Sequence, residues 1–509
     1  MHGHPAPPLR SGGCRRVGGS QAHQSGQSSS AGGSASSVRA VVRVSCHQSA
    51  FSRQILSTRY FASVQYGDWV ILRGVSKNLV ENTPRVVEQT TICFVSSRHF
   101  CISKRGTQSV NIEFRPVREE EVDDFIRAES RGFGRNATDA YLAHGNRLIE
   151  ADRTLAAFEG KRLVGTSTSH TLKMTVPGGA AVPTGGIAWV TVQPTHRRRG
   201  INTGMMVQQL HRIHERGEPL AALWPSESAI YGRFGYEMAA FGERWTVERQ
   251  RSALTHSPEE QGQTSFVDSW EARGIFPDVY QRVFSVRSGM VTRNDAAWDD
   301  ELSGAPQGRS VAEIFYVVYE LDGRVDGYVK YRIDRSQSRL IIFELVTATD
   351  EAHAALWKFC MGVDLLDTVE GNNRPVDDPL LWMLADPQRL RRESQDALWL
   401  RLVDAPVVLA QRRYAKEGKL VIEIQDSICP WNNGRFQLDG GLDGAQCRPT
   451  SASADLSLSV ADLASGYLGA TGYSALQRAS RIQEHSVGAI KLMDEMFATD
   501  LKPWCAHDF

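Results

Sequence analysis

One stretch, Ala188 to Tyr236, limits what this chain can be: an apolar strand, a basic glycine turn, a helix, and then SESAIYGRFGY. Ala188, Trp189, Val190, Thr191 and Val192 form a β-prone run without glycine or proline, and Gln193 and Pro194 end it. Thr195 reads as an N-cap. His196, Arg197, Arg198, Arg199 and Gly200 then turn the chain into a helix with Met206, Leu210 and Ile213 on one face. Such a turn aims backbone N–H groups, the positive end of a helix and several guanidinium groups at one small volume, which suits a pyrophosphate. Three arginines alone read equally well as a solvated face. Their place after a strand and before an amphipathic helix favours the anion site.

The total composition asks for no polyanionic partner. Lys plus Arg and Asp plus Glu both number 58, so the net charge is zero and the arginine cluster is a local device for a small anion, with no nucleic acid implied. No apolar run approaches the roughly 20 residues that span a bilayer. The 8 cysteines include no C-x-x-C pair, which speaks against a zinc site and a disulfide framework and for reduced thiols in a cytoplasmic protein without a metal. A length of 509 residues suggests about three domains at roughly 150 residues each.

Residues 1–107 differ from the rest. Ser11 to Ser37 is rich in serine and glycine and cannot bury enough apolar surface to order itself, and no acidic residue precedes Asp68. An Arg- and Ser-rich, acid-free start has the composition of an organelle transit peptide over residues 1–65, but a disordered extension or sequence translated upstream of the true start is the favoured reading of residues 1–107. The globular protein is expected to begin near Asn111. Glu119 to Ala128 reads as a helix with Val122, Phe125 and Ile126 inward, and Leu155 to Phe158 with Leu163 to Ser169 as a hairpin. Gly178-Gly179 and Gly185-Gly186 bracket a turn before the central strand.

Strands and helices alternate again over residues 241–400. Ile314 to Leu321 and Tyr328 to Ile333 flank Asp322-Gly323, and Ile341 to Val346 leads into a helix from Glu351, so the outline of the first unit repeats. The turn in between, Thr347 to Glu351, has neither glycine nor arginine and carries two carboxylates, which would repel a pyrophosphate. This second copy reads as a scaffold. From Leu402 a small α+β unit follows, with strands at Leu420 to Gln425, Gly434 to Leu438 and Leu456 to Val460 and helices near Val460 to Leu468 and Lys491 to Ala498.

The spacing Arg197-x-x-Gly200 after a strand resembles the coenzyme A loop of GNAT acetyltransferases, and VTVQPTHRRRG followed by SESAIYGRFGY resembles the Eis family in particular. One departure is Asn202, where GNAT loops usually carry a second glycine or alanine; asparagine tolerates unusual backbone angles better than most residues. The resemblance implies a mixed α+β and α/β chain with tandem GNAT-like domains, 108–240 and 241–400, before a sterol-carrier-like domain, 401–509. It also implies acetyl-CoA as co-substrate, a primary amine of aminoglycoside-like or polyamine type as acceptor, and a homo-hexamer. Other readings are a protein lysine or N-terminal acetyltransferase, and a lipid-binding protein with a vestigial front domain.

Carried onto this chain, the family reading puts acetyl-CoA on Val190, Thr191, Val192, Arg197, Arg198, Arg199, Gly200, Ile201 and Ser226. Ser226 could bond the pantetheine or cap a helix. Tyr231 is the candidate general acid, because a phenol with a reference pKa of about 10 is protonated at neutral pH and can supply a forming thiolate. The α-carboxylate of Phe509, at the end of an unusually apolar tail, is the candidate base; a packed surface tail is the alternative. Trp189, Trp224, Glu227 and Asp508 are candidates for holding the acceptor amine by cation–π contact or ion pairing, though core packing explains both tryptophans equally.

Overall fold

The computed structural model describes residues 112–259, 261–302 and 313–509, and the backbone of four upstream strands, Ser57–Val64, Val70–Lys77, Thr90–Val95 and His99–Lys104. Those strands run as an antiparallel meander onto the edge strand Ile112–Arg115. The remainder of residues 1–107, which the sequence reading leaves out of the fold, lies outside the described residues. Among the described residues no helix is long and apolar enough to cross a membrane.

Strands Ile112–Arg115, Ala156–Glu159, Arg162–Thr175 and Ala181–Val192 pair antiparallel in sequence order, and Leu220–Leu223 then pairs parallel with the last of them. A parallel neighbour needs a crossover, and the helix Ile201–Glu215 provides it. Met206, Leu210 and Ile213 are fully buried beneath it, as their spacing predicts. The helix Val122–Gly132 likewise buries Val122, Phe125 and Ile126. Of the two glycine pairs expected to bracket a turn, Gly178-Gly179 lies in it, whereas Gly185-Gly186 lies within the strand Ala181–Val192. Their purpose is close approach. A Cβ on Gly185 would come within 2.7 Å of Ile213, and one on Gly186 within 2.9 Å of the Phe509 ring.

The second sheet runs in the order Gln263–Val267, Phe315–Leu321, Arg324–Asp334, Arg339–Thr347, Thr368–Pro375, Phe241–Glu248, Arg391–Asp396. Alternating residues divide its two faces. Val317, Tyr319 and Val329 pack with the helix Asp350–Gly362, and Tyr316, Val318 and Tyr328 pack with the helix Ser269–Phe284. Thr349 caps the former by accepting from the Ala352 amide, and Glu351 accepts from the Gln261 amide, so this turn offers carboxylates where the first domain offers donors.

The domains are interlocked. Trp399–Leu402, which follows the last strand of the second sheet, crosses back to pair with Leu220–Leu223 and Glu237–Met238 in the first. Hydrophobic periodicity reports that a strand is buried, not which strand it joins, and the sequence analysis closes the second unit at residue 400 without seeing the exchange. Arg401 on this strand is fully buried, and its Nη2 donates to both carboxylate oxygens of Asp426 in the C-terminal domain, at 2.8 and 2.7 Å. Asp426 also accepts from the Ile428 and Cys429 amides and from Asn432.

The C-terminal sheet, Gly444–Pro449, Gly434–Gly441, Gly418–Gln425, Leu456–Ser459 and Gln483–Glu484, shares one core with the first domain, from Leu172 and Leu220 to Leu463 and Met493. Arg412 is buried there without a carboxylate. It donates to the carbonyls of Tyr467 and Phe497, at the ends of the helices Val460–Tyr467 and Ala489–Phe497, where the helix dipoles favour a cation. The tail then runs back over the other two domains. Trp504 N donates to Ser288 O, Asn373 Nδ2 to Cys505 O, Arg293 to Ala506 O and Trp224 Nε1 to His507 O.

Removing one partner of a buried ion pair strands the other charge, so Asp426→Ala should lower unfolding stability by about 3–5 kcal/mol. Chemical denaturation reads this directly; a loss below about 1 kcal/mol would show that the Arg401 pair does not tie the exchanged strand to the C-terminal domain.

Candidate active site

Parallel pairing between Ala181–Val192 and Leu220–Leu223 stops at Ile187 and Leu223, and beyond that point the two chains part. On the other side, Thr168 pairs with Ala188 and Thr166 with Thr191, so Trp189 and Val190 together stand opposite Ser167. This is a β-bulge, and Trp189 holds it with a φ of 53°, a conformation that L-residues avoid at a cost of roughly 1–2 kcal/mol. Thr166 Oγ1 secures it, lying 2.8 Å from both the Trp189 carbonyl oxygen and Thr191 Oγ1. The bulge and the parted strands leave one side of Val190 to Val192 facing a cleft rather than a neighbouring strand.

The glycine turn closes one end of that cleft. Pro194–His196 forms a single tight turn, Arg198 and Gly200 take φ values of 62° and 78°, and the helix starts at Ile201 with Gly200 as its cap. Thr195 is therefore not the N-cap. Its hydroxyl meets His196 Nδ1 at 2.7 Å, and the two left-handed residues delay the helix by one turn. A glycine cap has no side chain, so the first helical amides, which lack intrahelical acceptors, stay available to a ligand.

The cleft has a volume of about 630 Å³ and is lined by Val190, Thr191, Val192, Arg197, Arg198, Gly200, Ile201 and Ser226 among others, which brings together eight of the nine residues predicted for the coenzyme. Arg199 is the exception: its guanidinium turns to Glu159, at 3.3 Å, beside His196. Arg197 also has a second duty, donating to the carbonyls of Val192 and Gly132 at 3.3 and 3.1 Å and so fastening the turn to the first helix. Asn202, Thr203 and Arg233 line the cleft as well. Arg233 lies inside the SAIYGRFGY motif but was passed over in the sequence analysis.

A second cavity of about 510 Å³ adjoins the first, and the two share Phe133, Val190, Ser226 and Tyr231. Tyr231 ends the short helix Ser228–Tyr231 and is 5% exposed. Burial pushes its phenol pKa up, against a smaller opposing effect of the hydrogen bond with Ser226. The group thus stays protonated well above neutral pH. Glu227 lies on the first cleft and not in the second cavity, so its expected acceptor role has no support from its position.

All three domains build the second cavity. Trp189, Trp224, Asp508 and Phe509 line it. Trp224 additionally holds the tail through its indole N–H, and Gly186 leaves room for the Phe509 ring. Unforeseen are Glu129, Tyr141, His144 and His170 from the first domain, Asp300 and Glu301 from the helix Asp295–Glu301 of the second, and His507 from the tail. Glu129 alone left a trace: it follows Phe125 by four residues, which puts a carboxylate on the inward helix face.

The charge of this cavity is acidic. Burial works against the Glu301 carboxylate, but Lys330 and Arg293 outweigh it and bring its pKa to about 2. Asp300 meets His144 Nδ1 and, at 3.3 Å, Arg147. Burial lowers His170 to about 4 and drives His507 well below its ordinary value with help from Arg293, so neither imidazole cancels the carboxylates at neutral pH.

Amides, the guanidinium groups of Arg197, Arg198 and Arg233 and a bulged strand fit a pyrophosphate with an extended amide arm, and the adjoining acidic cavity fits a cation. No group of three or more His, Cys, Asp or Glu among the described residues is placed to hold a metal ion.

Residues 113–239 match an acetyltransferase (GNAT) domain, residues 289–402 a further acetyltransferase (GNAT) domain, and residues 405–506 a sterol carrier protein domain. The chain is 36% identical over 364 residues to the N-acetyltransferase Eis of Mycobacterium tuberculosis, covering 69% of this chain and 87% of the relative. It is 35% identical over 413 residues to an uncharacterized N-acetyltransferase of Streptomyces coelicolor, covering 79% of this chain and all of the relative. The crystal structure of Eis1 from Mycobacterium abscessus aligns with a TM-score of 0.70 at 32% identity, over 78% of this chain and all of that one. With two GNAT domains and a sterol-carrier-like domain matched in order and Eis relatives 36% identical over most of their length, this chain belongs to the Eis family of GNAT N-acetyltransferases.

Proposed function

We propose that the protein moves the acetyl group of acetyl-CoA directly onto a primary amine of an aminoglycoside-like or polyamine acceptor. The observation that carries this reading is the junction of the two cavities, where Val190, Ser226 and Tyr231 face a cleft suited to the coenzyme and a pocket suited to a cation.

Each residue then has a task. Arg198, Gly200 and the first amides of the Ile201 helix hold the pyrophosphate, and Val190 to Val192 accept the pantetheine arm as a sheet accepts an added strand. The backbone N–H of Val190 polarises the thioester carbonyl. The Phe509 carboxylate, with a reference pKa near 3.5, is a weak base; it orients and desolvates the acceptor and takes its proton through water. The amine nitrogen bonds to the acetyl carbon, the carbon–sulfur bond breaks, and Tyr231 gives its proton to the departing thiolate.

Two further points follow from the family. The family likeness supports assembly into a homo-hexamer, and Phe266, Trp270, Leu365 and Trp382 are exposed apolar side chains of the second domain. The unpaired thiols of Cys360, Cys429, Cys447 and Cys505 support a cytoplasmic place of work.

A panel of aminoglycosides, diamines and lysine-bearing peptides, incubated with acetyl-CoA while free thiol is followed, tests the acceptor class. Thiol release with the small cations supports the proposal, and release with peptides alone would transfer it to protein acetylation. Tyr231→Phe should lower kcat by about a hundredfold or more while leaving coenzyme affinity within about twofold. Because burial raises the phenol pKa, the wild-type kcat should show no alkaline fall from this group below about pH 10. An unchanged kcat in the variant would remove Tyr231 as the acid. Deleting Phe509 should abolish transfer with coenzyme binding retained; normal turnover would end the carboxylate's role.

A further inference from the structure

We propose that Asn373 of the second domain is a positioning residue for the chain terminus: by gripping Trp504 and Cys505 it sets where the Phe509 carboxylate stands in the second cavity. This rests on the amine-acetylating reading, in which that carboxylate prepares the acceptor.

A chain end frays unless it is tied down, and a group that takes part in chemistry must be held to within about 0.5 Å. The last helix ends at Phe497, and no further helix or strand leads from there to Phe509. Side chains from elsewhere do the holding. Three successive carbonyls of the tail accept from three of them: Cys505 O from Asn373 Nδ2 at 2.8 Å, Ala506 O from Arg293 at 3.2 Å and His507 O from Trp224 at 3.0 Å. Asn373 has a second hold, because its backbone carbonyl accepts from Trp504 Nε1 at 2.8 Å.

The backbone beneath Asn373 sets it apart from the other two. On the strand Thr368–Pro375, Arg374 pairs with Glu243 and Gly371 with Trp245, so Asn372 and Asn373 together stand opposite Arg244. This is a β-bulge, a device that re-aims a side chain, and Asn373 takes a φ of 47° within it. Glycine, asparagine and aspartate enter that region most readily, and of the three only asparagine carries an amide donor. The side chain finds room because residue 242 on the neighbouring strand is glycine; a Cβ there would lie 2.5 Å from Asn373 Oδ1. That oxygen is buried and accepts from no donor among the described residues. A left-handed residue and an unpaired buried oxygen both cost stability, and what they deliver is an amide aimed at the tail. Arg293, by contrast, is committed first to Glu344, at 2.7 and 3.1 Å.

Carboxypeptidase A removes a C-terminal phenylalanine only from a released tail, so it reads the hold without any acceptor. Asn373→Gly keeps the left-handed backbone and its carbonyl and removes the amide alone. In the full chain this variant should lose Phe509 about fivefold faster than the wild type, the worth of one hydrogen bond. With acetyl-CoA and an amine that the wild type acetylates, its kcat should fall by about tenfold or more, while the affinity for coenzyme A stays within about twofold. An unchanged release rate overturns the proposal. So does faster release with an unchanged kcat, the pattern of an amide that only packs the tail. If the glycine variant fails to fold, Asn373→Asp, which tolerates the same backbone and presents no amide donor, is read in the same way. Should the wild type acetylate no amine, the amine reading falls, and the release rates alone decide whether Asn373 holds the chain end.

Discussion

The architecture turns on the place where two parallel strands stop pairing. Hydrogen bonds between Ala181–Val192 and Leu220–Leu223 end at Ile187, and the bulge at Trp189 twists the rest of the strand away. A sheet that stayed paired would have no cleft, because every backbone group from Val190 to Val192 would be spent on a neighbour. Strain at Trp189 is the cost of keeping that edge open, and the Thr166 hydroxyl between Trp189 and Thr191 holds it there.

From this opening the remaining domains acquire their roles. The exchanged strand Trp399–Leu402 extends the first sheet beyond Leu220–Leu223, and Arg401 fastens it to Asp426, so the C-terminal domain is anchored next to the site. That domain is held rigid by its shared core and by Arg412 at two helix ends, and its tail is guided over Ser288, Asn373 and Trp224 to the pocket. The second GNAT domain lacks the cradle but gives Asp300 and Glu301 to the pocket wall. Three domains thus converge on one pocket beside the cleft at the Gly200 turn.

Local chemistry was legible in the sequence and long-range placement was not. The strand, turn and helix around Gly200 could be read because period and glycine geometry act over a few residues. The same local logic extended the turn at Gly178-Gly179 to Gly185-Gly186, which lie in a strand, since close approach of Ile213 and Phe509 comes from segments far away in the chain. Thr195 carried the right chemistry for a cap and lost to Gly200, because Arg198 and Gly200 both needed left-handed backbone. The second cavity was the least readable part. Glu129, Asp300 and His507 lie hundreds of residues apart and meet only through the exchanged strand and the returning tail, and of these only Glu129 had a helical position that announced a buried charge.

The central claim is that the turn at Gly200 and the parted strands form a diphosphate cradle, and calorimetric titration of coenzyme A tests it most directly. Saturable binding of one coenzyme per chain to the wild type is predicted, with loss of that binding in a folded Gly200→Val variant, because valine cannot adopt a φ of 78° without strain. Absence of binding heat on folded wild-type protein, or equal binding by the variant, would contradict the account.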